Sequence, residues 1–376
     1  MTAYNIKHVI SPAAQQVMRL LGGSNAIRLV GGCVRNALLD LPVTDHDMAT
    51  VYTPDEGVEI LSAHGIKTVP TGIEHGTITA VIDGENIEIT TLRIDSNEDG
   101  RHADVIFTNN WLDDARRRDF TMNTLLADGE GNIYDPLGCG LDDLQARRVR
   151  FVGNPPERIR EDALRILRFF RFYAYYGAGE ADQGALKACA DLSDMVDGLS
   201  RERITQEFLK ILAAPNAAAI LRLMRCCQIL NPLMPLTHWD DLEKVIARQI
   251  NQGAEDVMAR LYTLGAKEEA LDRWLALSNK QKQRLTAFAK VKEMTLQDSQ
   301  EIKEAMYHHG RDAALQVYLM QAAQVQPTDI DMMQTWDIPR FPLTGADLMK
   351  EGFTQGKALG QELKAREAQW IKNGFQ

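Results

Sequence analysis

At about Leu141 the chain changes its hydrophobic period, and that change constrains the fold more than any single motif. Before it, strand-like runs (Ile27–Val30, Asp47–Thr50, Lys67–Val69, Thr77–Ile82, Ile87–Arg93, Val105–Phe107) alternate with helical stretches near Pro12–Leu21, Cys33–Asp40 and Pro54–Ala63. Beyond it only helix-type spacing continues. Asp83-Gly84-Glu85-Asn86 separates two strand runs with turn residues, which predicts a hairpin and an at least partly antiparallel sheet. The expected fold class is α+β: a head with a mixed β-sheet, then an all-helical neck, body and tail. With 376 residues the chain exceeds one ordinary core. Breaks at Gly177-Ala178-Gly179, Ala214-Pro215-Asn216 and Asn231-Pro232, with another from Ile338 to Pro342, punctuate the helical part. The expected segments are a head at 1–138, a neck at 139–205, a body at 206–336 and a tail at 337–376.

The richest chemistry lies between Leu29 and Thr50, LVGGCVRNALLDLPVTDHDMAT. Gly31 and Gly32 follow an apolar strand and let the backbone approach a ligand. The short helix after them carries Arg35, so helix start and guanidinium together favour an anion such as a triphosphate. Asp45 and Asp47 stand at i and i+2 on the next predicted strand, which aims both carboxylates to one face. Hard oxygen donors in that arrangement suit Mg²⁺, which takes one or two carboxylates plus substrate phosphates. A lone glycine pair or a lone D-x-D would read as a solvated loop; joined through a short arginine-bearing helix they read as a nucleotide site.

A net charge of −10 argues against a nucleic-acid partner, but the distribution argues for one. Between Thr68 and Leu186 there are 13 arginines and no lysine, whereas the rest of the chain holds 14 arginines and 15 lysines. A local preference of that kind suggests planar, bidentate contacts to phosphates and base edges.

Four further groups stand out. Glu88, flanked by Ile87 and Ile89, is either an outward-facing strand residue or a third carboxylate beside the aspartates, and Arg93 ends the same run. Ile94 to Ala103 reads as a polar loop with Asp99, Arg101 and His102 as the residues able to act if it closes on substrate. In Arg116-Arg117-Arg118-Asp119-Phe120-Thr121-Met122-Asn123, Arg118 and Asn123 are expected to bind phosphate or ribose while Asp119 orients an arginine. Glu157 to Tyr175 is expected to be one helix with an apolar stripe of Ile159, Ala163, Ile166, Phe170 and Ala174. Its polar face would hold Arg158, Glu161, Asp162 and Arg165, the last two either as a surface ion pair of about 0.2–0.5 kcal/mol or as a reader of bases. A carboxylate accepts from an exocyclic amine and a guanidinium donates to the neighbouring acceptor, a pattern that C and A share and G and U do not.

No window carries the 18 or so apolar residues of a membrane span, and MTAYNIKHVI lacks a signal-peptide pattern, so the expected location is cytoplasmic. The five cysteines include no CxxC pair, which argues against a zinc site or disulfide framework.

Taken in order, LVGGCVRNALL with DHD, EITTLR, GRHADVIF, RRRDFTMN, YDPLGCGLDDL and RIREDALRILRF resemble the class II tRNA nucleotidyltransferases, the CCA-adding enzymes, and the related bacterial poly(A) polymerases. A weaker likeness covers the tail segment LTGADLMKEGFTQGKALGQEL. The resemblance implies a polymerase-beta-like nucleotidyltransferase head and addition of CMP and AMP from CTP and ATP to the 3′ end of tRNA. It further implies Mg²⁺ on Asp45 and Asp47, possession of triphosphate contacts by Gly31, Gly32 and Arg35, and ribose and phosphate contacts by Arg117, Arg118, Asp119 and Asn123. Asp162 and Arg165 are implied to pair with the incoming base, with Arg168 as a further nucleotide contact. Neck, body and tail are implied to serve nucleotide choice and tRNA binding. The family usually has Asp after the arginine of its GGxVR element; Asn36 stands there in this chain. A poly(A) polymerase, a CC-adding enzyme and a non-catalytic tRNA-binding protein are the alternatives.

Overall fold

Strict alternation in Thr77–Ile82, where every second residue is buried, makes a half-covered strand that needs partners on both edges. The computed structural model describes residues 4–96, 104–230, 239–265 and 268–376. Two units emerge: Met1–Glu207 with Leu223–Leu233, and Phe208–Arg222 with Met234–Gln376.

The first unit holds a seven-stranded sheet. Its strands are β1 (Ile27–Val30), β2 (Asp47–Thr50), β3 (Lys67–Gly72), β4 (Thr77–Ile82), β5 (Glu85–Thr91) and, beyond a separate ribbon, β8 (Leu126–Ala127) and β9 (Ile133–Tyr134). The order is β3-β4-β5-β2-β1-β8-β9, with β2 and β5 parallel and the other pairs antiparallel. The separate ribbon pairs β6 (Arg93–Ser96) with β7 (Asp104–Phe107). Helices α1 (Pro12–Leu20), α2 (Gly32–Leu38) and α3 (Pro54–Ala63) attend the sheet. Thr53 and Glu56 close a capping box at the start of α3, and a Cβ on Gly57 would come 3.1 Å from Ile78, so the missing side chain lets α3 approach β4.

Several sequence boundaries shift. Residues Ile94–Ser96, expected in a loop, form β6, because β7 offers them a ladder. The expected helix to Asp40 ends at Leu38. Asp40 adopts φ 54, and the amides of Leu41 and Asp40 donate to Asn36 and Ala37, a C-terminal turn that closes the helix before Pro42 can. The two-residue strands β8 and β9 carry too little periodicity to be legible in the sequence.

Helices α4 (Trp111–Arg117), α5 (Gly140–Gln145), α6 (Pro155–Glu161), α7 (Leu164–Tyr176) and α8 (Gln183–Asp191) follow, and α9 (Arg201–Ala213) and α10 (Ala217–Cys226) run into the second unit and back. The single helix expected from Glu157 to Tyr175 is two. Asp162 is extended (φ −153, ψ 105), and its carboxylate accepts from the Leu164 amide at 3.1 Å, so an aspartate that competes with the backbone breaks the run. The apolar stripe survives, with Ile159, Ala163, Ile166, Phe170 and Ala174 all buried. Phe172 and Phe151 pack at a tilt against the fully buried Phe120 at ring distances of 4.9 and 5.0 Å, fastening α7 to the residues that follow α4. Each such ring contributes about 1.5–3 kcal/mol by leaving water.

The second unit is helical: α11 (Trp239–Gln252), α12 (Val257–Thr263), α13 (Glu268–Trp274), α14 (Asn279–Lys292), α15 (Ser299–His309), α16 (Arg311–Gln321), α17 (Pro327–Thr335), α18 (Gly345–Lys350) and α19 (Lys357–Lys372). Its core encloses Arg260, whose guanidinium donates to the carbonyls of Leu212 and Ala214 at the end of α9 and to Gln249.

Candidate active site

Because β1 and β2 are antiparallel with Leu29 opposite Met48, the turn at Gly31 comes to lie beside Asp47. Gly31 has φ 68, a conformation open to glycine, and a Cβ there would come 3.4 Å from Arg118. The two glycines and Asp47 form one side of a cleft of about 630 Å³ within the first unit. Arg35, Arg93, Arg117, Arg118, Arg165, Arg168 and Arg203 line it against Asp47, Asp119 and Asp162, so cationic side chains outnumber anionic ones. Asn123 completes the polar lining, and Phe172 and Leu164 supply apolar surface.

At one end, carboxylates crowd. Asp47 stands in register with Glu88 of the parallel β5, which joins the outward-facing reading of Glu88 with its position beside an aspartate. Partial burial and then the Asp45 carboxylate raise the Asp47 carboxyl, while Arg118 and His46 oppose the rise. Glu88 is raised too, by burial and by Asp47. Asp45 precedes β2 and bonds Thr44 at 3.0 Å; it stands outside the cleft lining yet acts on Asp47. Among the described residues no group of three His, Cys, Asp or Glu side chains converges on a metal position.

The arginines are held by a connected frame. Buried Asp114 accepts from Arg117 at 2.7 Å and from Arg118 at 2.8 Å; burial alone would raise its carboxyl, but Arg118 and Arg117 bring it below its ordinary value. Asp119 accepts from Arg168 through both Nε (2.8 Å) and Nη2 (2.5 Å), and its other oxygen accepts from Asn123 at 2.8 Å. Against the penalty of burial, Arg168 and these hydrogen bonds keep its carboxyl low. Asn123 passes the frame on, its Oδ1 accepting from Arg35 at 2.6 Å. Arg35, 7% exposed, also donates to Asn36 at 2.9 Å and to Tyr176 at 2.7 Å, and stacks 4.0 Å from the Tyr176 ring. Burial lowers its pKa, and its three side-chain acceptors here are all neutral.

The segment between α6 and α7 forms another wall. Arg165 donates to Glu161 at 2.5 Å and to the Arg158 carbonyl at 2.8 Å, while Asp162 accepts twice from Arg203, at 3.0 and 2.8 Å. The expected Asp162–Arg165 pair is therefore replaced by two others, since the break at Asp162 removes the helical spacing that would join them. Arg158 secures the wall by donating to the carbonyls of Arg117 and Arg118.

Of the residues singled out in sequence, the cleft gathers Gly31, Gly32, Arg35, Asp47, Arg93, Arg117, Arg118, Asp119, Asn123, Asp162, Arg165 and Arg168. Asp99, Arg101 and His102 lie outside the described residues. Asp114, Tyr176 and Arg203 were not singled out. Asp114 stands three and four residues before two arginines, a spacing that pairs them on a helix such as α4; Tyr176 and Arg203 are distant in sequence from what they hold.

A family model described as the poly A polymerase head domain matches residues 27–150, and one described as a probable RNA and SrmB- binding site of polymerase A matches residues 182–240. The mitochondrial CCA tRNA nucleotidyltransferase 1 of Danio rerio is 35% identical over 93% of this chain and 84% of its own length. The CCA-adding enzyme of Enterococcus faecalis (strain ATCC 700802 / V583) is 33% identical over 92% of this chain and 87% of its own. A crystal structure of the Bacillus stearothermophilus CCA-adding enzyme in complex with CTP has a TM-score of 0.76 at 26% identity, covering 98% of this chain and 92% of that one. With identity sustained over nearly the whole chain, this chain belongs to the CCA-adding tRNA nucleotidyltransferases.

Proposed function

We propose that this protein completes the 3′ end of tRNA by adding CMP and AMP from CTP and ATP, and that the arginine-lined cleft of the first unit carries the reaction. The observation that carries the reading is the meeting, in one cleft, of Asp47, a cationic wall and the Asp162–Arg165 segment. The tRNA 3′-hydroxyl attacks the α-phosphate in line; the new O–P bond forms as the bond to the bridging oxygen breaks and pyrophosphate leaves.

Asp45 and Asp47 would hold Mg²⁺, their hard oxygens supplying the carboxylate share of a sphere completed by phosphates and water. Asp47 and Glu88 stand in register on adjacent strands, and burial together with a neighbouring carboxylate raises each of them, an arrangement that a cation would relieve. The ion supplies charge neutralisation and a lower pKa for the attacking hydroxyl. Glu88 is a further candidate ligand. Arg35, Arg118 and Arg93 neutralise the phosphates, Arg117 and Asn123 contribute phosphate and ribose contacts, and Asp119 fixes Arg168 and Asn123 toward the nucleotide. Asp162 accepts the exocyclic amine of C or A, and Arg165 donates to the adjacent ring acceptor. Three of the roughly four lone-pair positions of Asp162 are used within the protein, which leaves one for the base. The segment with Asp99, Arg101 and His102 is assigned the terminal A addition. Neck 139–205 serves nucleotide choice, and body 206–336 and tail 337–376 hold tRNA.

The cytoplasm suits five free thiols, which persist in a reducing compartment. No described helix is long and apolar enough to cross a membrane.

Primer extension tests the reading: tRNA ending before CCA and a generic RNA are each supplied with CTP, ATP or both. Two C additions followed by one A, on tRNA alone, are expected, and Asp45→Asn should abolish all of them while tRNA binding persists. Repeated ATP-only addition to generic RNA would make the protein a poly(A) polymerase, arrest after two C residues a CC-adding enzyme, and no pyrophosphate release a tRNA-binding protein.

A further inference from the structure

Helix α7 ends at Tyr176, whose side chain reaches back to Arg35, 141 residues earlier in the chain. Phe172 and Tyr176, at i and i+4, share one face of α7 with their ring centres 5.5 Å apart. The Arg35 guanidinium lies over both, 4.0 Å from the Tyr176 ring and 5.2 Å from that of Phe172. The phenol adds direction to this stack. It accepts from Nη2 of Arg35 at 2.7 Å and donates to Oδ1 of Asn36 at 3.4 Å, so its proton is turned to Asn36 and a lone pair to the guanidinium. Asn36 offers Arg35 a single oxygen, because its Nδ2 is committed to the Pro42 carbonyl, and that oxygen accepts from both Nε (3.2 Å) and Nη2 (2.9 Å). A carboxylate at this position would offer two; here the phenol is the second acceptor. Asn123 takes one hydrogen of Nη1 at 2.6 Å. Four of the five guanidinium hydrogens are then engaged by described residues, and the fifth, on Nη1, is left for an oxygen entering the cleft that Arg35 lines.

We propose that Tyr176 is a positioning residue for triphosphate binding: its ring and hydroxyl fix the plane of the Arg35 guanidinium, so that the end of α7 sets how the phosphates are held whichever base they carry. The inference rests on Arg35 holding triphosphate, as in the proposed function. Tyr176 acts through Arg35 and touches no substrate itself. A guanidinium on a flexible stem binds more tightly when its plane is set beforehand, because less freedom is lost when the ligand arrives. The phenol does this without an opposite charge, so it orients the arginine and leaves its charge to the ligand.

The test measures equilibrium binding of CTP, ATP and inorganic triphosphate, without tRNA, to wild type, Tyr176→Phe, Tyr176→Leu, Asn36→Asp and the Tyr176→Leu/Asn36→Asp double variant. Tyr176→Leu should bind all three ligands about tenfold more weakly, and Tyr176→Phe should lose less because the stack remains. In primer extension the KM of Tyr176→Leu for CTP and for ATP should rise together, while kcat and the Kd for tRNA stay near wild-type values. With Asn36→Asp in place a carboxylate supplies both acceptors, and Tyr176→Leu should then cost less than about threefold. Equal losses with and without Asn36→Asp would overturn the proposal, as would unchanged binding. A loss confined to one base would overturn it too, by moving the effect to the Asp162–Arg165 wall. Should Tyr176→Leu not fold, Tyr176→Phe with and without Asn36→Asp gives the same comparison. Wild type that binds CTP but extends no tRNA would refute the proposed function, while the Kd ratios still decide Tyr176.

Discussion

The Asp47 carboxyl is raised above its ordinary value, first by burial and then by the Asp45 carboxylate. A carboxyl whose folded pKa exceeds its unfolded value of about 3.9 gives stability below that value and loses it as pH rises through the folded one. Without metal, Asp47→Asn should therefore unfold at a higher temperature than wild type at pH 7, and the difference should vanish below about pH 4. Thermal denaturation across that range checks it; equal stability at pH 7 would mean the carboxylates there do not oppose one another. Asn36 makes the complementary point. Where the family usually has a carboxylate, its amide oxygen still accepts from Arg35 and its Nδ2 donates to the Pro42 carbonyl at 3.1 Å, so this neighbour orients Arg35 without pairing its charge.

Among elements, the α6–α7 junction is the one proposed to govern nucleotide choice. Arg165→Ala should lower discrimination against GTP and UTP about 10- to 100-fold while tRNA affinity stays within about threefold, the loss expected for one bidentate base contact. Competition between labelled triphosphates measures it, and unchanged selectivity would remove Arg165 from base reading. This element also shows where sequence reading stopped. The alternation of Thr77–Ile82, the glycine turn and the buried stripe of Ile159, Ile166 and Phe170 were legible because periodicity encodes which face is covered. The break at Asp162 was not, since it depends on a local side-chain bond to the Leu164 amide, and on Arg203, 41 residues away, engaging the carboxylate. Likewise β8 and β9 exist only because β1 offers an edge.

On the scale of the whole molecule, the chain crosses between its two units repeatedly, since Phe208–Arg222 belongs to one and Leu223–Leu233 to the other. Cys227 lies near enough to the buried Cys189 to help burial push that thiol up, which ties the returning segment to the first unit. A fragment ending at residue 207 should thus unfold at lower temperature than one ending at 233, both below the full chain. Circular dichroism melts check this, and equal melting of the two fragments would assign the returning segment no part in the unit.

Arg35 carries one more consequence. A guanidinium whose direct partners are an amide, an amide and a phenol is charge removed from water at a cost that the Asp119 carboxylate offsets only in part. A triphosphate held by Arg35 as proposed would relieve it whichever base is attached. The nucleotide is then a structural component of its own enzyme: a cell short of triphosphates would hold this protein in its less durable form, and restoring any one of the four would tighten the fold before a single base is chosen.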